Sequence, residues 1–183
     1  MSSWETALPI NDVIPQANLS GRPAFFPISV TKLAVMSVCT FGLYQIYWFY
    51  QNWRLVKSRD QSRISPPWRS VLGLLFCYPL FRRVRSVAQQ QGIATPSAAL
   101  LFTAWIVSTL LSYSPPPYLL ISFGSVLFML PTQRAINRIN AHIAPQHDPN
   151  RRFGALNIVI VLVGGLLAIL SVIGAFIESV QAP

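Results

Sequence analysis

The chain's acids are Glu5, Asp12, Asp60, Asp148 and Glu178, and none lies inside an apolar run. Proton-coupled carriers and pumps place an ionisable residue at membrane depth. Intramembrane aspartyl and zinc proteases need acids or an HExxH pair there. Neither pattern is present. The one acid–base cluster is His142, His147 and Asp148. It could titrate near neutral pH or hold a metal, but Pro145 separates the two histidines and the spacing fits no ligand motif, so a solvated loop is expected. No GxSxG, Walker A or GxGxxG sequence occurs, which speaks against a serine hydrolase elbow and a nucleotide site. Cys39 and Cys77 both lie in apolar runs and read as small buried hydrophobes, not as a disulfide or a metal pair. Gln45, Asn157, Thr103, Ser108, Thr109, Ser122 and Ser125 are the polar groups at depth. Bonding between helices is their common use, and lining a small pore is the alternative. No catalytic, metal or cofactor residue is assigned, and no enzyme activity is expected.

The elements that carry these residues follow from composition. Of the 183 residues, 52% are hydrophobic and only 10% charged, against about 25% charged in an ordinary soluble domain. That excludes a disordered chain, a coiled coil and most soluble enzymes, and it predicts an all-α, helical integral membrane protein. Residues 1–27, broken by Pro9, Pro15, Pro23 and Pro27, read as a polar tail on the surface, with no cleavable signal peptide. Residues 28–183 read as a single multi-pass membrane domain. About four spans are expected in it, over 28–50, 97–113, 118–130 and 155–177. Ser114-Pro115-Pro116-Pro117 makes a stiff turn between the second and third of these.

The apolar run 71–81 is short for a crossing and carries Pro79, so it is expected to be re-entrant or interfacial. Gly42 is a candidate kink, and a break there would turn 28–50 into a re-entrant hairpin. Residues 132–143 put Ile136, Ile139 and Ile143 on one helical face and Arg134 and Arg138 on another. That predicts an amphipathic cytoplasmic helix with its isoleucines in the acyl region. In 155–177, Gly164, Ala168, Ser171 and Ala175 form a stripe of small residues for helix packing, within the chain or between copies.

The charge sets the expected orientation. Tyr44, Tyr47, Trp48, Tyr50 and Trp53 read as an interfacial aromatic belt closing the first span. Basic residues follow at once. Arg54, Lys57, Arg59 and Arg63, then Arg82, Arg83 and Arg85, then Arg134, Arg138, Arg151 and Arg152 are the expected contacts to anionic lipid headgroups. With Arg69 they make twelve of the 14 basic residues, all on one side if 71–81 does not cross. The positive-inside rule then gives four crossings with both termini outside. Arg22 and Lys32 are the exceptions, Lys32 being expected to snorkel outward. A re-entrant first segment would remove both exceptions and leave three crossings. Because the basic residues flank apolar runs, lipid and not nucleic acid is the expected partner.

The stretch from Thr40 to Trp53 resembles the hallmark of small bacterial membrane proteins in domain-of-unknown-function family 4234. Thr40, Gly42, Tyr44, Tyr47, Trp48 and Tyr50 fit its Thr-x-Gly-x-Tyr-x-x-Tyr-Trp-x-Tyr run. The resemblance covers about a sixth of the chain. It implies a multi-pass protein of the bacterial inner (cytoplasmic) membrane and transfers no activity. The expectation is therefore a non-enzymatic membrane protein of structural, accessory or regulatory type, with a basic cytoplasmic face on anionic lipid. It would require no cofactor. Another membrane subunit or a second copy could be its partner. The alternative is a small transporter or channel for a neutral solute or ion.

Overall fold

A computed structural model describes residues 21–61, 65–111 and 124–181; the side chains of Leu74 and of residues 178–181 lie outside that description. Among the described residues the chain is all-α, with no strand. Its helices are α1 (Val30–Cys39), α2 (Leu43–Asp60), α3 (Pro66–Val71), α4 (Gly73–Gln90), α5 (Ala98–Leu110), α6 (Leu130–Ile143) and α7 (Ala155–Gln181).

The segment 28–50 does not form one helix. Thr40, Phe41 and Gly42 break it, with Phe41 at φ 51° and Gly42 at φ 87°. Glycine takes the left-handed region without steric cost, so the break falls beside the residue that tolerates it. The turn satisfies its own backbone. Gly42 N–H donates to the Ser37 carbonyl at 2.8 Å, and Tyr44 N–H to Thr40 Oγ1 at 2.9 Å. After the break the chain doubles back. Phe26 N–H reaches Asn52, and Arg59 reaches the Pro23 carbonyl, so α1 and α2 form an antiparallel hairpin. The expectation of one continuous helix over 28–50 is corrected to two helices in a hairpin.

The next pair repeats the plan at shorter length. Pro66 and Pro67 open α3, where proline lacks only an N–H that has no partner in a first turn. The α3–α4 turn climbs only to the level of Phe49, whose ring lies against Gly73. Descending again, α4 carries Pro79 in its interior and brings Arg83 to Asp60 at 2.6 Å. Arg69 stacks over the rings of Trp53 and Phe76 at 4.6 and 5.1 Å. Run 71–81 is thus the upper part of a helical hairpin whose two basic groups lie toward the same end of α2.

α5 is a 13-residue helix within the run 97–113. Most of the run 118–130, and the Pro115–Pro117 turn, lie outside the described residues. Among the described residues one helix is long and apolar enough to cross a membrane: α7, over Ala155–Ile177, with mean hydropathy 2.9. Its 23 residues at about 1.5 Å each exceed a hydrocarbon core of about 30 Å. Leu156, Leu162, Ile169 and Phe176 project from it, each at least 60% exposed. Its small-residue stripe faces inward at Gly164, Ala168 and Ala175, which are buried, with Ser171 half-buried. α1 lies along this helix; a Cβ on Gly164 would overlap the Cys39 carbonyl, so only glycine lets the two backbones approach this closely.

Candidate functional site

A buried polar cluster is built around an irregular segment, residues 23–28, which bends at Ala24 and Phe25. Prolines at 23 and 27 keep it out of helix and remove two of its N–H donors. With no strand beside it, its remaining backbone groups need side-chain partners if buried. They are buried: Ala24, Phe25 and Ile28 are at most 2% exposed. The expected surface tail, 1–27, is corrected at Ala24 and Phe25, which lie in the core; residues 1–20 lie outside the described part.

Two helices supply the partners. α6 presents Gln133, Asn137 and Asn140, spaced four and three apart and so on one face. Asn140 Oδ1 accepts from Ala24 N–H at 2.8 Å and from Phe25 N–H at 3.2 Å, while its Nδ2 donates to the Phe25 carbonyl at 2.9 Å. Gln133 Nε2 donates to the carbonyls of Phe26 and Ile28, and Asn137 Nδ2 also donates to Ile28. α2 presents Trp48, Asn52 and Arg59, spaced four and seven apart. Asn52 Oδ1 accepts from Phe26 N–H, and Arg59 Nη2 donates to the Pro23 carbonyl at 3.2 Å. Trp48 Nε1 donates to Gln133 Oε1 at 2.6 Å, which orients the amide for its other bonds.

This amide clamp holds a non-helical main chain that bends at Ala24 and Phe25. Amides neither titrate nor attack, so its chemistry is hydrogen bonding. Aromatic edges close it: Trp48 packs on Phe49 and Phe81 at centroid distances of 5.2 and 6.4 Å. Burial lowers the Arg59 guanidinium from its ordinary pKa; the neighbouring Asp60 opposes that shift and Arg83 adds to it.

Several sequence expectations change here. Trp48 and Trp53, assigned to an interfacial belt, are 0% and 2% exposed and belong to the core. Of the other belt residues, Tyr47 is exposed and Tyr44 and Tyr50 are half-buried. Ile136 and Ile139 pack in the protein core and not in an acyl layer, with Ile143 partly buried against them. Lys32 does not snorkel outward. It is 4% exposed, and its ammonium donates to Asn150 Oδ1 at 2.8 Å and the Arg152 carbonyl at 2.7 Å, pinning the start of α1 to the loop before α7.

The basic residues divide. Arg54, Lys57, Arg82, Arg134, Arg138, Arg151 and Arg152 are exposed. Arg59 is buried on Pro23, Arg83 pairs with Asp60, and Arg85 is half-buried, so these three are not open headgroup contacts. Arg63 lies outside the described residues. Cys39 and Cys77 are free and buried.

Near the tip of the first hairpin a second polar cluster joins three segments. Gln45 Oε1 accepts from Trp105 Nε1 at 2.7 Å, and its Nε2 donates to Ser125 Oγ at 3.0 Å. Thr109 bonds back to the Trp105 carbonyl of its own helix, and Ser122 lies outside the described residues. The His142–His147–Asp148 group does not converge. His147 Nδ1 lies 2.6 Å from the Ala144 carbonyl, Asp148 accepts from Asn150 N–H, and His142 is exposed.

The chain matches no family model, no curated protein and no solved structure. The likeness of residues 40–53 to family 4234 therefore rests on those residues alone.

Proposed function

We propose that this chain is a non-enzymatic, multi-pass membrane protein of the inner membrane, a structural, accessory or regulatory subunit with a basic face against anionic headgroups. The observation that carries the reading is how the hairpins turn. Pro23 meets Arg59, Asp60 meets Arg83, and Lys32 meets Arg152. These contacts join Arg59, Arg83 and Arg152, from three parts of the sequence, to the base of the hairpins, and the reading puts the other basic residues on that same face.

Exposed Trp68, Val71, Leu72 and Leu75 on the α3–α4 hairpin would then dip into the same leaflet. Such side chains favour lipid or partner contact over water. With α1–α2 re-entrant, the N-terminal segment lies on the basic side, and the exceptions Arg22 and Lys32 disappear. Near an anionic leaflet each exposed basic residue adds about 1 kcal/mol before screening. Flotation of the purified chain with vesicles at rising salt tests the basic face. Salt-dependent preference for phosphatidylglycerol over phosphatidylcholine supports it, and equal, salt-independent association contradicts it.

A second reading draws on the broken helix at Phe41–Gly42, since paired half-helices line the sites of some transporters. Its polar groups at depth, Gln45, Trp105 and Ser125, satisfy one another. Liposome flux of a small neutral solute or an ion would favour it. Flux unaffected by Gln45→Leu would place the path elsewhere.

A further inference from the structure

We infer that the recess between α4, the 91–97 loop and the start of α6 takes one oxygen of a phosphoryl group, held by the Arg85 Nε–H and the Thr95 hydroxyl. The recess is walled by Phe81, Val84 and Leu101 on its apolar side and by Arg85, Thr95 and Thr132 on its polar side. Arg85 Nε and Thr95 Oγ1 are both shielded from solvent, and neither has a hydrogen-bond partner. Among the described residues no carboxylate pairs with Arg85, and Asp60 pairs with Arg83. No acid lines the recess.

A cationic N–H and a hydroxyl at one recess, both unsatisfied, call for an acceptor with negative charge. The space is small, fit for one oxygen and not for a whole headgroup, so the rest of the group would stay at the mouth. Exposed Arg82 and Arg134 stand on the two helices that wall it and raise the local positive potential. Two residues before Arg85, Arg83 meets Asp60, the last residue of α2. The recess therefore lies at the level where the proposed membrane reading, on which this inference rests, puts lipid headgroups. A phospholipid headgroup and free phosphate share the recognising chemistry.

The test uses the full chain in detergent, with bound lipid counted by native mass spectrometry. The probes are phosphatidylglycerol, a diacylglycerol with the same acyl chains, and inorganic phosphate as competitor. Phosphatidylglycerol is expected to bind about ten-fold or more tightly than the diacylglycerol, and Arg85→Gln and Thr95→Val each to remove about that factor. Arg22→Gln, which removes the same charge elsewhere, is expected to leave binding within about two-fold. Thr95→Val nearly keeps the residue's shape, so it tests the recess even where Arg85→Gln disturbs α4. Displacement by millimolar phosphate, with the same sensitivity to both variants, assigns the site to soluble phosphate. Binding of both probes unchanged in both variants overturns the proposal and leaves an ordered water in the recess. Failure of the membrane reading shows separately, as protein in the soluble fraction of lysed cells, while the phosphate arm still reads the recess.

Discussion

Asn140→Ala should be among the most damaging single substitutions in this chain. The side chain is fully buried and serves three backbone groups of the segment 23–28, at 2.8, 3.2 and 2.9 Å. Alanine leaves Ala24 N–H, Phe25 N–H and the Phe25 carbonyl without that partner. A buried polar group left unsatisfied costs about 1–3 kcal/mol. Water entering the vacated space would recover part of this, so the expected loss is roughly 3–5 kcal/mol, a large share of the ~5–15 kcal/mol that stabilises a typical domain. Reversible unfolding in mixed micelles, followed by tryptophan emission, reads the loss. Gln133 holds the same segment through Phe26 and Ile28. Once the segment has loosened, removing the second amide should cost less. The double variant should therefore fall short of the sum of the singles by on the order of 1 kcal/mol. A loss of about 0.5 kcal/mol or less for Asn140→Ala, the size seen for exposed positions, would refute the clamp.

Gly164→Ala must move α1 or α7, because its new Cβ meets the Cys39 backbone, and should cost about 1–3 kcal/mol. Gly174→Ala, with nothing near its Cβ, should be neutral or stabilising by up to about 1 kcal/mol in the same unfolding assay. Gln45→Leu leaves the Trp105 indole N–H and Ser125 without their partner and should lose about 1–3 kcal/mol, with a shifted tryptophan emission. The half-exposed Arg83–Asp60 pair should show a coupling of no more than about 1 kcal/mol in a double-mutant cycle, since solvent screens it.

Hydropathy and breakers made much of the helical layout legible. The 155–177 run, the helix start at Pro66–Pro67, the break at Gly42 and the helix over 132–143 all follow from residue type and spacing. What composition does not encode is the medium against which an apolar face packs. Trp48, Trp53, Ile136 and Ile139 would look the same in sequence facing an acyl chain or a protein core. The structure turns them inward because residues 23–28 cross between α2 and α6 and need walls on both sides. The clamp itself carried a signal that reading for charge passed over. Gln133, Asn137 and Asn140 recur at helical spacing beside the isoleucine stripe, and a segment bracketed by Pro23 and Pro27 cannot pair its own backbone. The pairing of Lys32 with Asn150 and Arg152 had no local sign, because it joins residues more than a hundred positions apart.

The most direct test of the account is the sidedness of the first hairpin. Single cysteines at Arg22, Gln61, Gln146 and Gln181, in a background with Cys39 and Cys77 replaced, would be labelled with a membrane-impermeant maleimide, in intact cells for the outer face and in inverted membrane vesicles for the cytoplasmic face. The re-entrant hairpin predicts that Arg22→Cys, Gln61→Cys and Gln146→Cys all react from the cytoplasmic face, and Gln181→Cys from the outside. Arg22→Cys and Gln61→Cys labelling from opposite faces would mean that residues 28–50 cross the membrane, and would contradict the account.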